Sequence, residues 1–375
     1  MRIVIITGEA SGDMYGSLLA SEIHRLSKDA HLAGVGGQAM REAGVDIFLG
    51  SGGISVVGIW EAVVRLGRLR KAMNRIKSEI ASSRPDLVVL IDYPGMNLRL
   101  ARFAKRLGLR VMYYVSPQVW AWGRNRIRTV KECVDKMVVI LPFEAEIYRR
   151  EGVDVTYVGH PLIDVVKTGL DRSSFLARYG LDPARRRIAL LSGSRRQEIK
   201  QHLRPLLGAS AILSRKLPDL DFVMVTLPQL ERRVKNEIGR SGQAVRVITD
   251  LRYEAIAYSD LAIMCSGTVT LEGALLGTPM IVMYRLAPLS WALGRMMVRV
   301  PYISLVNLVG REEIVPEFIQ GAARAEPLAA EALRILEDEP RRRYMIERLH
   351  DVRSQLGQGD ATRKAAEIAL LLARQ

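Results

Sequence analysis

The sequence predicts an α/β protein built from two doubly wound domains facing across a cleft, followed by C-terminal helices. Three observations carry this. Short β-branched apolar runs alternate with helical patterns from Arg2 to Val158. The same rhythm starts again at Ile188. Beyond Pro327 only helical patterns remain. Alternation of this kind argues for parallel sheets with helices on both faces.

In the first half the strand candidates are Arg2–Thr7, His31–Val35, Leu87–Ile91, Val111–Val115, Met137–Leu141 and Val155–Val158. In the second half they are Ile188–Leu191, Phe222–Thr226, Val245–Ile248, Leu261–Met264 and Pro279–Met283. The polar stretch Pro161–Arg187, with Gly169, Gly180 and Pro183, marks the boundary. The expected domains are residues 1–165, 166–340 and a helical 341–375. At roughly 100–200 residues per domain, 375 residues suit this division.

Composition narrows the function. With 55 Lys and Arg against 40 Asp and Glu, the formal charge is +15. Nucleic acid, an anionic membrane surface and phosphorylated ligands all suit such a chain. No zinc finger, KH clamp or RNP aromatic pair is present, and aromatics are only 6%, which argues against nucleic acid. Cys133 and Cys265 stand far apart, which excludes a disulfide framework and a zinc module and fits a reducing compartment. The first apolar run is too short for a signal peptide, and no uncharged run reaches the 18 or so residues of a membrane span. The expectation is a soluble or peripheral cytoplasmic protein.

Open α/β sheets bind ligands beyond the C-terminal ends of their strands, so unusual residues at those ends are the site candidates. Glu9 and Asp13 stand in the small-residue turn Gly8–Asp13. They are either cleft carboxylates or, for Asp13 above all, helix caps. Asp92 opens Asp92-Tyr93-Pro94-Gly95, as a general base or as a turn-initiating Asp. Ser116, Gln118, Trp120 and Trp122 share one loop. Paired Trp suits stacking on a sugar or apolar ligand, or anchors the loop in the core. Ser192-Gly193-Ser194-Arg195 reads as a phosphate cradle at a helix start. Ser266, Gly267 and Thr268 would open a helix onto a diphosphate, and Glu272, one turn in, could take both hydroxyls of a ribose. The Thr268 to Glu272 spacing is one residue too long for a capping box.

Other motifs are lacking. The five His form no metal-ligand spacing. Asp219-Leu220-Asp221 stands before a strand, at the wrong end for a cleft ligand, and reads as a turn. No GxGxxG, Walker A loop or G-x-S-x-G elbow occurs. No metal and no cofactor are expected.

In order along the chain stand Gly8–Asp13, Asp92-Tyr93-Pro94, Tyr114–Trp122, Gly159-His160-Pro161-Leu162, Ser192–Arg195, Ser266–Glu272, Asn307-Leu308 and Val315–Phe318. In combination, from about Ile3 to Gln320, they resemble the lipid-A-disaccharide synthase family of inverting GT-B glycosyltransferases, whose fold is two Rossmann-like domains. The resemblance implies UDP-2,3-diacylglucosamine as donor and 2,3-diacylglucosamine 1-phosphate as acceptor. The products would be a β-1,6-linked disaccharide 1-phosphate and UDP, without a metal. It makes Asp92 the preferred base, with Glu9 and Asp13 as alternatives or positioning groups. Arg195, Ser194 and Ser266–Thr268 would hold the diphosphate, and Glu272 the ribose. Asn307 is carried over by resemblance alone. Some relatives have a second Asp where this chain has Gly95. The resemblance also permits a homodimer, with or without exchanged C-terminal segments.

Acylated substrates imply work at the inner face of the cytoplasmic membrane. Ile59, Trp60, Val63, Val64 and Leu66 recur at helical spacing beside Arg65, Arg68, Arg70 and Lys71. An apolar stripe bordered by bases suits an interfacial helix on anionic lipid, or a core-facing helix with a solvated basic face. A second stretch, Trp291, Leu293, Met296 and Met297, ranks below it. The alternatives are another UDP-sugar transferase or epimerase of the same fold, and a non-catalytic nucleotide binder.

Overall fold

The computed structural model describes residues 1–51, 66–120, 125–287, 291 and 300–375. The chain divides into two compact units. The first comprises Met1–Pro161 with Leu356–Gln375, the second Leu162–Met296 with Val300–Gln355.

The first unit holds a seven-stranded parallel sheet: β1 (Arg2–Ile6), β2 (His31–Gly36), β3 (Asp46–Gly50), β4 (Leu87–Ile91), β5 (Arg110–Tyr114), β6 (Lys136–Val139) and β7 (Val155–Tyr157). Their spatial order is β3-β2-β1-β4-β5-β6-β7. Central strands of a doubly wound sheet are covered on both faces, so they are apolar throughout rather than alternating. β4 is the clearest case, with every residue of Leu-Val-Val-Leu-Ile buried. Strand spacing itself demands one glycine: a Cβ on Gly34 of β2 would lie 1.9 Å from the Ile5 carbonyl oxygen.

The second unit repeats the plan with six strands: β8 (Arg186–Leu191), β9 (Leu220–Val225), β10 (Val245–Ile248), β11 (Leu261–Cys265), β12 (Met280–Tyr284) and β13 (Glu317–Ile319). The order is β10-β9-β8-β11-β12-β13, again with parallel pairing. In each unit the order reverses once, between β1 and β4 and between β8 and β11. Ligands of such sheets bind at that switch point. Four of the turns singled out in the sequence flank these points, those after β1 and β4 in the first unit and those after β8 and β11 in the second.

Two strands escaped the sequence reading. β3 and β13 are both edge strands, and β13 has only three residues. Edge strands are half-covered, so the continuous apolar signal fades. The division also falls elsewhere than expected. The first break is at Pro161/Leu162 rather than 165/166, and the final segment starts at Leu356 rather than 341. The helix Glu339–Gln355 packs on the helices Thr268–Leu275 and Leu305–Gly310 of the second unit. The helix Ala361–Ala373 returns to the first unit, against the helix Ala10–Leu26 and the strands β4 and β5. The Gly159-His160 stretch receives it there. The His160 backbone N–H donates to the Leu356 carbonyl at 2.8 Å.

Among the described residues no helix is long and apolar enough to cross a membrane. Ile59, Trp60, Val63, Val64 and Arg65 lie outside the described residues, as do Trp122, Leu293, Met296 and Met297. The helix Leu66–Ser83 buries Met73, Ile76 and Ile80 in the core of the first unit and leaves Arg70 and Lys71 exposed. The side chains of Leu66 and Arg68 are not among those described.

Candidate active site

In the first unit the turns after β1 and β4 are neighbours, because those strands pair with Ile6 opposite Leu90. A Cβ on Gly8 would lie 2.4 Å from the Tyr93 ring, so only glycine lets the two turns meet this closely. Glu9 takes the N-cap position of the helix Ala10–Leu26 in extended conformation, but its side chain does not cap that helix.

Asp13 reaches beyond its own helix. Its carboxylate accepts the backbone N–H groups of Gly37 (2.6 Å), Ala39 (3.1 Å) and Met40 (3.3 Å). It thus caps the short helix Gln38–Glu42, which follows β2, rather than its own helix. Accepting three amides, the Asp13 carboxylate holds the turn after β2 against its own helix.

Asp92 sits on strained backbone. Asp92 and Tyr93 both occupy the left-handed region, with φ of 47° and 44°. Such residues persist where their surroundings over-determine them, and they cluster at functional sites. Here the Asp92 N–H donates to the Tyr114 and Val115 carbonyls, each at 3.2 Å. Its carbonyl accepts from the Tyr113 hydroxyl (2.6 Å) and from Asn97 Nδ2 (2.7 Å). Burial, reinforced by the Asp92 charge, pushes the Tyr113 hydroxyl well above its usual range, which keeps it a donor.

The described part of the loop after β5 is anchored at Ser116 and Trp120. Ser116 is buried; its hydroxyl donates to the Pro117 carbonyl (2.8 Å) and pairs with the Tyr148 hydroxyl (2.9 Å). Trp120, half-buried, donates its indole N–H to Glu144 at 3.1 Å and meets Phe143 edge-on at 5.4 Å. The anchoring reading therefore describes Trp120.

The sequence reading missed Glu144. It lies in the first turn of the helix Pro142–Arg150, where an acid is unremarkable. Only the fold buries it, and burial pushes its carboxyl up to about 8, with the Asp92 charge adding to the rise.

In the second unit the loop after β8 differs from an open phosphate cradle. The Glu198 carboxylate accepts the N–H groups of Ser194 (2.9 Å) and Arg195 (3.1 Å) and an Arg195 guanidinium N–H (3.3 Å). The cradle amides are occupied; the side chains of Ser194 and Arg195 are exposed. His202, also missed, fastens this loop to the end of β12. Its Nε2 accepts the Arg285 N–H (3.0 Å), so Nδ1 donates to the Ser192 carbonyl (2.9 Å). Burial holds its pKa below the ordinary histidine value.

After β11, Ser266 donates to the Ile303 carbonyl at 2.6 Å. Gly267 has φ of 147°, and a Cβ there would meet only open space. The helix Thr268–Leu275 starts at once. Asn307 is fully buried and fully used. It accepts from the Ile314 and Val315 amides and donates to the Val315 carbonyl and to Glu317. Glu317 in turn holds the Ile303 and Ser304 amides. Asn307 thus braces the loop that Ser266 touches. The Asp219–Asp221 string is structural too. Asp221 lies in β9, paired with Arg185 at 3.0 Å and near the fully buried Arg187.

Glu272 is 5% exposed. Oε1 pairs with Arg252 Nη2 at 3.0 Å, and Oε2 is enclosed with no hydrogen-bond partner. Burial raises its pKa, and Arg252 pulls it back. A buried carboxylate with one oxygen left unpartnered is costly. Among the described residues no three His, Cys, Asp or Glu side chains cluster as a metal would need.

Comparison with known proteins agrees with this layout. The family profile for lipid-A-disaccharide synthetase matches residues 3–372. The chain is 42% identical over 375 residues to the lipid-A-disaccharide synthase of Syntrophus aciditrophicus, covering 100% of this chain and 98% of the relative. It is 41% identical over 370 residues to that of Geobacter sulfurreducens, covering 98% and 96%. Among solved structures it is similar in fold to a UDP-GlcNAc 2-epimerase from Neisseria meningitidis bound to UDP-GlcNAc. That likeness has a TM-score of 0.69 at 13% identity, covering 99% of this chain and 100% of the other. The fold is of the GT-B kind, with two Rossmann-like units.

Proposed function

The chain belongs to the lipid-A-disaccharide synthase family, and from that membership we propose the reaction it performs. It is a glycosyltransferase of lipid A biosynthesis. The donor is UDP-2,3-diacylglucosamine and the acceptor 2,3-diacylglucosamine 1-phosphate. Asp92 takes the proton from the acceptor 6-hydroxyl as that oxygen attacks the anomeric carbon. The bond to UDP breaks on the opposite face, so the configuration inverts and a β-1,6 linkage forms. UDP leaves with the electron pair, and its growing charge is met by the Arg195 guanidinium and the start of the helix Thr268–Leu275. Glu272 receives the ribose and holds the donor by a part remote from the reacting bond. Glu9, in the turn beside Asp92, positions the acceptor.

The Glu272 carboxylate carries this reading: one oxygen is fixed, the other is buried without a partner, and the small-residue turn Ser266-Gly267 precedes it. The acyl chains and the exposed basic face of the helix Leu66–Ser83 support action at an anionic membrane surface.

The test is UDP release from the diacylated UDP-sugar in EDTA, with and without the diacylated sugar phosphate. Acceptor-dependent release, with a disaccharide phosphate by mass spectrometry, is expected. Release without acceptor would point to an epimerase, and no release in detergent would discard the reading. Asp92→Asn should lower turnover about 100-fold or more while leaving UDP binding intact.

A further inference from the structure

The backbone of Asp92 is held on both sides of its Cα. The peptide before it is fixed at both ends. Its N–H, that of Asp92, donates to the Tyr114 and Val115 carbonyls, each at 3.2 Å. Its carbonyl, that of Ile91, accepts from Asn97 Nδ2 at 3.0 Å. The peptide after Asp92 is fixed through the Asp92 carbonyl. This accepts from the same Asn97 Nδ2 at 2.7 Å and from the Tyr113 hydroxyl at 2.6 Å. Asn97 belongs to the helix Pro94–Arg106 and Tyr113 to β5, so two elements converge on one carbonyl. Both Asn97 contacts are carbonyl oxygens, so the amide must turn its NH2 toward them.

The turn needs this restraint. Asp92 and Tyr93 have φ of 47° and 44°, a conformation that strains any residue but glycine and relaxes once its bonds are removed. Two fixed peptide planes set the direction of the Cα–Cβ bond between them, so the bonds that hold the backbone also aim the carboxylate. Tyr113 and Asn97 are fully buried, which keeps both from touching a substrate. We propose that Tyr113 and Asn97 are positioning residues for the transfer reaction, holding the strained turn so that the Asp92 carboxylate meets the acceptor hydroxyl. This rests on the reading of Asp92 as the base.

The experiment is steady-state kinetics of acceptor-dependent UDP release by the full chain. It compares Tyr113→Phe, Asp92→Asn and the double variant, each checked for folding by thermal denaturation. Tyr113→Phe keeps the ring and deletes only the hydroxyl. It should lower kcat about 10- to 100-fold, the loss expected when a reacting group shifts by about 1 Å, and leave KM for the donor unchanged. In the Asp92→Asn background it should lower kcat no further, because a residue that acts through another is silent once the other is disabled. A merely structural role would lower the melting temperature and leave kcat per folded molecule as in the wild type. A role independent of Asp92 would give the same loss in both backgrounds. Either result overturns the inference and leaves Asp92 as the base. Should Tyr113→Phe not fold, Asn97→Ser removes the other donor and is judged by the same two criteria. If Asp92→Asn turns over at nearly the wild-type rate, the reading of the base falls and takes the inference with it.

Discussion

Trp120 gives its indole N–H to the buried carboxyl of Glu144, a bond that ties the loop after β5 to the helix Pro142–Arg150. Removing the acceptor leaves a half-buried donor unpaired. Glu144→Ala should destabilise the protein by about 1–3 kcal/mol. Glu144→Gln keeps an acceptor for the indole and should cost less. Urea denaturation midpoints of the two variants would decide; equal losses would contradict the role given to this bond. UDP affinity should be the same in both, because the proposed donor groups lie in the other unit.

Gly8 and Tyr93 make a second testable pair. Gly8→Ala places a methyl where the Tyr93 ring now stands, and overpacking of this kind costs about 1–3 kcal/mol. Tyr93→Ala should relieve most of that cost, so the double variant should be more stable than the sum of the single effects. Additive losses in thermal denaturation would show that the two turns do not touch.

Stability should depend on pH with two opposed slopes. Burial lowers His160 to about 3 and lowers His202 as well, so both are neutral in the folded protein. Their contribution is complete above the unfolded histidine value of about 6.5 and is lost as pH falls below it toward the folded value. Glu144 is raised to about 8. Its contribution is complete below the unfolded value of about 4.3 and is lost as pH rises through 8. Each pKa unit of displacement is worth about 1.4 kcal/mol. Denaturation midpoints between pH 4 and 9 should therefore fall less steeply on the acid side in His160→Gln and His202→Gln. Glu144→Gln should flatten the alkaline side.

The exposed Arg70 and Lys71 bear on the membrane proposal. Each base near an anionic surface contributes about 1 kcal/mol. Arg70→Glu with Lys71→Glu should lower sedimentation with anionic vesicles at least tenfold and leave binding to neutral vesicles unchanged. Ile59→Ser, Val63→Ser and Leu66→Ser together should also weaken vesicle binding. Unchanged sedimentation of both variants would remove the membrane surface from the proposal.

The strands were legible because buried parallel strands are continuous apolar runs, and the four switch-point turns followed from them. What each acid does in those turns was not legible. Asp13 and Asp92 look alike in sequence, each just past a strand end. Their roles separate only when the fold brings the Gly37–Met40 amides to the first and strained backbone to the second. The contacts of Asn307 were hidden for the same reason, since its partners lie several residues on, in another turn. Glu144 and Arg252 were invisible because a first-turn acid and a helix-start arginine are common on any surface. Their significance comes from Trp120 and Glu272, which lie 24 and 20 residues away.

The path of the chain has a consequence for synthesis. β1 to β7 leave the ribosome first, yet the helix that covers Ala10–Leu26, β4 and β5 comes only at Ala361–Ala373. Every residue of the second unit is made in between. The unit begun first is therefore finished last, and its apolar flank stays open while the other unit is already able to fold. That interval is when this protein is most exposed to aggregation and most in need of a chaperone.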